Sequence, residues 1–236
     1  DQSLLYSRSD DQRSPAIRYF ELRPDIALLQ ETSPFDKEEL SEKLVEVEVK
    51  KNLRNSIYSA SYLFEKIKLP NDGGIGINAT SIELNNFGKI YFISVYGNLD
   101  FWDTLDIHLI GVLCLYTQVL CSQYHAKHIV IAGDFNYDRQ MDDNPTGTRF
   151  VKVGEKRANI FFDSLKDLGY VDCLEQFYPD YVQTHRHTRS EFPWQIDHMF
   201  MTNKLFNHLD SLEVLENPKV IQRSDHNPII ADFNIG

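Results

Sequence analysis

The chain has 236 residues, 42% hydrophobic and 12% aromatic, with a formal net charge of −11 and a pI near 5.1. That composition supports a sizeable buried core and excludes a disordered or low-complexity chain. The acidic balance argues against a passive nucleic-acid coat protein, which binds by neutralising phosphates, but suits an enzyme that gathers carboxylates around a metal.

No repeat, Pro- or Ser-rich linker or composition break divides the sequence, so one domain is expected over residues 1–236. Ser14-Pro15 has the form of a helix start, and Ile17, Phe20 and Leu22 give a short helix that ends at Arg23-Pro24. Residues 25–31 are a nearly continuous apolar run closing on Gln30 and Glu31, as in a strand covered on both faces. Residues 36–52 are charged, with Leu40, Leu44 and Val47 at helical spacing, which predicts a surface helix. The run Asn71-Asp72-Gly73-Gly74 is a turn leading into a strand over 75–82; no Lys-Ser/Thr and no helix start follow it, so it is not a phosphate loop.

Further on, 89–96 and 128–134 read as strands and 103–125 as a long buried helix. Asp106, His108, Thr117 and Gln118 make that helix a poor lipid-facing span, so no membrane crossing is expected. A helix over 156–168 and strands over 195–201, 211–216 and 228–233 complete the chain. The alternation suits two mixed sheets packed face to face with helices outside.

The amino end lacks the layout of a signal peptide, so cytoplasmic residence is the default expectation, with secretion after removal of a signal as the alternative. A monomer is the default oligomeric state. Cys114, Cys121 and Cys173 are odd in number and fall in predicted helix or at a strand edge, which does not make a disulfide framework.

Four polar clusters stand at predicted strand ends: Gln30-Glu31, Gly133-Asp134-Phe135-Asn136, Ile196-Asp197-His198 and Ser224-Asp225-His226-Asn227-Pro228. Carboxylates just past buried strands are costly unless paired, solvated or bound to a cation, and their common placement points to one site. Hard oxygen ligands suit Mg²⁺ or Mn²⁺; no Cys or His cluster has zinc spacing. Basic residues flank the same motifs, with Arg139, Arg149, Lys152, Lys156 and Arg157 after Gly-Asp-Phe-Asn and His185, Arg186, His187 and Arg189 before Ile-Asp. They favour a polyanionic substrate, with His185, Arg186, Arg189 and Arg149 as candidate phosphate contacts.

In order and spacing, Leu29-Gln30-Glu31, Ser94-Val95-Tyr96, Gly133-Asp134-Phe135-Asn136, Ile196-Asp197 and Ser224-Asp225-His226 resemble the successive motifs of the endonuclease/exonuclease/phosphatase superfamily, over residues 15–236. The resemblance implies a four-layered α/β/β/α sandwich of two mixed sheets flanked by helices, with the site at the strand ends. It also implies that Glu31 binds the metal, with Asp225 supporting it, and that Tyr96 touches the scissile phosphate or orients its neighbours. Asp134 would align and deprotonate the attacking water, Asn136 would hydrogen-bond the phosphorus oxygens, and His226, held by Asp197, would stabilise the transition state.

The implied activity is an Mg²⁺- or Mn²⁺-dependent phosphodiesterase, first of all a nuclease acting on DNA or RNA. Hydrolysis of an inositol phosphate, phospholipid or sphingomyelin is the alternative within the superfamily. An inactive member serving as a binding module is the alternative outside enzymology. Two departures stand out. Residues 1–25 contain no Asn, where the superfamily opens on a strand bearing a metal-binding Asn, so that strand is absent from this sequence or its ligand replaced. The Asp-Arg pair of the inositol-polyphosphate branch is Asp197-His198 here.

Overall fold

The computed structural model describes residues 24–34, 42–142, 156–186, 192–216 and 224–235. The chain enters as β1 (Ile26–Thr32), β2 (Leu44–Lys50) and β3 (Leu53–Ser59), an antiparallel sheet in the order β1-β3-β2. β1 is covered on both faces, as the apolar run predicts. Ala27 and Leu29 are buried, and Ile26 and Leu28 pack half-buried against the core between the sheets.

β2 overturns the expected surface helix over 36–52. Residues 35–41 lie outside the described residues, but Leu44–Lys50 reads Leu-Val-Glu-Val-Glu-Val-Lys. Its valines alternate with glutamates at a period of two, and β-branched side chains favour a pleated strand over a helix. The helical spacing of Leu40, Leu44 and Val47 overlooks Val45 and Val49. Pairing with β3, from Leu44↔Tyr58 to Lys50↔Leu53, settles the competition.

The second sheet comprises β4 (Glu65–Lys66), β5 (Asn78–Leu84), β6 (Gly88–Tyr96), β7 (His128–Asp134), β8 (Tyr170–Asp172) and β9 (Asp197–Thr202), in the order β4-β5-β6-β7-β9-β8. Only the central pair β6-β7 is parallel; the other pairings are antiparallel. α1 (Leu105–Gln123) makes the crossover between β6 and β7, as a parallel connection requires. β10 (Leu209–Val214) and β11 (Ile229–Phe233) form a separate antiparallel pair.

Side chains alternate across the central strands and divide the core in two. Tyr91, Ile93 and Val95 of β6 and Ile129 and Ile131 of β7 join Leu105, Leu109, Leu113, Tyr116 and Leu120 of α1. Phe161, Phe162 and Leu165 of α2 (Arg157–Asp167) complete that layer. On the opposite face, Ile90, Phe92, Val130 and Ala132 pack with Ile57 of β3 and with Leu212 and Val214 of β10. The result is an α/β sandwich: helices over a mixed sheet, which in turn packs on strands of the other sheets.

The helix expected over 14–22 lies outside the described residues. α1 is long and apolar enough to cross a membrane by length and composition, yet its leucine stripe is part of the core. All three cysteines are free.

Candidate active site

Strand register brings the site together. Tyr96 is the partner of Asp134 across β6-β7, and Asp134 is the partner of Asp197 across β7-β9. Three separate sequence motifs therefore end side by side. Two glycines permit this closeness. Gly97 N donates to Asp134 O at 2.8 Å, and a Cβ on Gly97 would overlap the Phe135 carbonyl. At Gly133, with φ +138°, a Cβ would overlap the Val95 carbonyl oxygen and stand 2.9 Å from Gln30 Nε2.

Glu31 reaches the site through a bulge. β1 and β3 keep register from Ile26↔Ser59 to Leu29↔Ser56 and resume at Thr32↔Arg54, so Gln30 and Glu31 oppose Asn55 alone. Glu31 takes φ +55°, and its Oε1 accepts the Tyr96 hydroxyl at 2.6 Å. Gln30 points inward instead. Its Nε2 donates to Ser94 Oγ at 3.1 Å, and Ser94 Oγ donates to Asn55 Oδ1 at 2.6 Å. Asn55 Nδ2 then donates to the carbonyls of Gly76 and Ser94 at 2.6 and 2.9 Å. This buried chain ties the bulge to β6.

Asp134 is buried, and its carboxylate is met by its own turn. Asn136 N donates to Oδ1 at 2.8 Å and Asn136 Nδ2 to Oδ2 at 3.1 Å, with a second bond from Nδ2 to Gly97 O at 3.0 Å. Asn136 holds φ +49°, a conformation Asn tolerates better than most residues. Like Glu31, it is a non-glycine residue in sparsely populated backbone space at the site. Burial and the neighbouring Asp197 charge push the Asp134 carboxyl well above the usual carboxylate range, while His226 and the Asn136 amide pull the other way.

His226 Nδ1 donates to both carboxylate oxygens of Asp197, at 2.8 and 3.0 Å. Burial alone would lower its pKa. The charge and hydrogen bonds of Asp197, with Asp134 and Asp225 behind them, overcome that and raise it to about 10. Asp225 lies beside His185, with Oδ2 3.6 Å from Nε2. That contact, and the charge of His226, hold its carboxyl at about 2 against the effect of burial. Tyr96, desolvated and bonded to Glu31, is held well above the usual phenol range and remains a donor.

Thr184 and Asn227 fix this half of the site, and the motif comparison gives neither a role. Asp197 N donates to Thr184 Oγ1 at 3.0 Å, Asn227 N to Thr184 O at 2.7 Å, and Asn227 Nδ2 to Gln183 O at 2.8 Å. Asn227 is legible in hindsight inside Ser-Asp-His-Asn-Pro; Thr184 has no signal beyond its place next to His185. Asp138 is a third such residue. Its Oδ2 accepts Gln195 N at 2.7 Å and its Oδ1 accepts Gln140 N at 2.8 Å, which clamps the turn after Asn136 to the segment leading into Asp197.

The basic residues behave differently from one another. Arg186 bonds through its guanidinium to Asn227 Oδ1 and to Ser224 O, and so braces the segment that carries Asp225 and His226. Arg139 stacks over Phe162 and pairs with Asp163 at 3.0 Å, and Arg157 pairs with Asp106, so both serve the helical layer. Arg149, Lys152, His187 and Arg189 lie outside the described residues. His198, the departure from Asp-Arg, is buried among Phe135, Phe162 and Phe200, where desolvation lowers its pKa to about 4. Its Nε2 donates to Tyr137 O at 3.0 Å, a neutral packing role. The absence of Asn before residue 26 concerns a stretch largely outside the described residues.

Glu31 is exposed, and one of its oxygens is accounted for by Tyr96; Asp225 is also exposed and held ionised. Both are hard oxygen donors, the type that divalent cations such as Mg²⁺ or Mn²⁺ accept.

Residues 13–226 match the model of the endonuclease/exonuclease/phosphatase family. No curated protein sequence matches the chain significantly. Among solved structures it is similar to an AP endonuclease from Archaeoglobus fulgidus, with TM-score 0.66, 18% identity, and 93% of this chain and 92% of that one covered. It is also similar to a 3' phosphatase from Neisseria bound to a product DNA hairpin, with TM-score 0.65, 18% identity and coverages of 94% and 96%. A third, an AP endonuclease from Leishmania major, gives TM-score 0.66, 16% identity and coverages of 93% and 81%. With the family model spanning nearly the whole chain and the strand-end motifs on one edge of a shared fold, the chain belongs to the endonuclease/exonuclease/phosphatase family.

Proposed function

We propose that the chain is a divalent-metal-dependent nuclease that hydrolyses phosphodiester bonds in DNA. The observation that carries this reading is the juxtaposition of Asp134, with its raised carboxyl pKa, and the Asp197–His226 pair on adjacent strand ends. A carboxylate poised to take a proton stands beside an imidazolium poised to stabilise negative charge, which is the pairing that attack of water on a phosphodiester needs.

Asp134 Oδ1 and Oδ2, oriented by Asn136, accept the proton of the attacking water. The His226 ring offers a hydrogen bond to the phosphoryl oxygens, held by Asp197 in its Nδ1–H form, and Asn136 Nδ2 offers another by giving up one of its two present acceptors, Asp134 Oδ2 or Gly97 O. The Tyr96 hydroxyl orients Glu31. A divalent ion held by Glu31 and Asp225 would supply charge neutralisation at the phosphate. DNA as substrate is supported by the related structure holding a DNA hairpin and by the two AP endonucleases of the same fold.

The test is a substrate panel. With Mg²⁺ or Mn²⁺ the protein should nick plasmid DNA, stop in EDTA, and be inactive as Asp134→Ala. Turnover of a phosphoinositide or sphingomyelin, with DNA and RNA untouched, would replace the nuclease reading with a lipid or inositol-phosphate one. A folded protein inactive on every phosphoester would leave a binding module.

A further inference from the structure

We propose that His185, Asp225 and His226 form an alternative metal site, sharing Asp225 with the catalytic divalent ion and selective for a transition-metal dication such as Zn²⁺ or Co²⁺, whose occupancy withdraws His226 from the reaction. One ligand atom from each of the three lies within 4.8 Å of the other two. His185 Nε2 is already 3.6 Å from Asp225 Oδ2, and the two imidazole rings are 4.6 Å apart at 45°. Ligands about 2.0–2.1 Å from a tetrahedral ion stand about 3.3 Å from one another, so a modest ring rotation closes the set.

Backbone contacts, not chance rotamers, hold the three together. His185 bridges His226 on one side and Trp194 on the other. Arg186 N donates to Asp225 O at 2.8 Å, and Asn227 N to Thr184 O at 2.7 Å. The segments carrying the ligands are therefore locked side by side on both flanks of the cluster. Asp197 completes the arrangement: by accepting from His226 Nδ1 it leaves Nε2 to bear the lone pair in the neutral ring, and it stands behind that ring as a carboxylate does behind a metal-bound histidine.

Two imidazoles and one carboxylate are the donor set that Zn²⁺ and Co²⁺ accept with a fourth position left to water, whereas Mg²⁺ prefers oxygen alone. On ligation the ion takes the place of the Nε2 proton of His226, so the ring can no longer donate to phosphate. The inhibitory consequence rests on the nuclease reading; the binding does not. In sequence, His185 reads as a phosphate contact in a basic segment; the partners the fold brings to it, Asp225 and His226, come from the far end of the chain.

The experiment is a Co²⁺ titration of EDTA-treated, dialysed protein, followed by visible absorption without substrate. One equivalent should develop ligand-field bands that survive equimolar Mg²⁺ and vanish on adding Zn²⁺. His185→Gln and His185→Ala, checked by thermal melting, should lose the bands. Absence of bands in the unaltered protein, their discharge by equimolar Mg²⁺, which shares only the Asp225 ligand, or their persistence in a folded His185 variant would each overturn the site. DNA nicking without bands counts against this site alone, and bands without nicking against the nuclease reading alone. If both hold, Zn²⁺ should slow nicking at saturating Mg²⁺.

Discussion

Asp134 and Asp197 are direct cross-strand partners, and the second gives both its carboxylate oxygens to His226. Two buried acids side by side are tolerated because a cation is held against one of them. Burial and the neighbouring Asp197 charge raise the proton affinity of Asp134, and, against the effect of burial, the carboxylates around His226 keep it an imidazolium. Replacing Asp134 by Asn should lower phosphodiester hydrolysis by about 10²-fold or more, the scale of a lost general base. Its thermal midpoint should change little, since removal of a buried charge offsets the loss of one of the two hydrogen bonds from Asn136. A large drop in both would mean Asp134 is structural.

His226 gives a pH signature in stability. Its pKa is raised from 6.5 to about 10 in the fold, so the pair with Asp197 contributes fully below about pH 6.5 and is lost as pH rises through about 10. His226→Gln should be less stable than the unaltered chain by about 2 kcal/mol at pH 6, as expected for a hydrogen bond to a charged group. The gap should narrow between pH 7 and pH 10. Urea melts at three pH values check this; a gap constant with pH would exclude the charged pair.

Tyr96 acts through Glu31, whose Oε1 accepts its hydroxyl. Tyr96→Phe should raise the Mg²⁺ concentration needed for half-maximal activity by about 10–100-fold, as loss of a ligand's hydrogen-bonding partner does. Saturating Mg²⁺ should restore part of the rate. An unchanged Mg²⁺ dependence would assign Tyr96 to substrate alone.

Gly133 is a steric requirement. Gly133→Ala would set a Cβ against the Val95 carbonyl at φ +138° and should destabilise the chain by about 3 kcal/mol or more. Denaturant unfolding, or loss of soluble expression, measures it. Ala at Gly88, where a Cβ meets nothing within 4 Å at a similarly positive φ of 93°, isolates the strain from the clash.

The strands were legible where their pattern was local. The run His128–Asp134 and the end of β6 at Tyr96 follow from continuous apolar stretches that stop on polar residues. The motif series likewise marks Glu31, Asp134, Asn136, Asp197 and His226 without a fold. Three-dimensional structure decided what depends on partners distant in sequence. Pairing with β3 makes Leu44–Lys50 a strand where charge and leucine spacing favour a helix. A bulge against Asn55 aims Glu31 outward and Gln30 inward, and no local pattern encodes a two-against-one pairing. Arg186 carries the same charge in either role, but only the fold commits it to Asn227 and Ser224. The sequence by itself determined which residue types could do the chemistry. Tertiary structure alone decided their protonation and company, because burial and neighbouring charge are properties of packing, set by chain segments that meet only after folding.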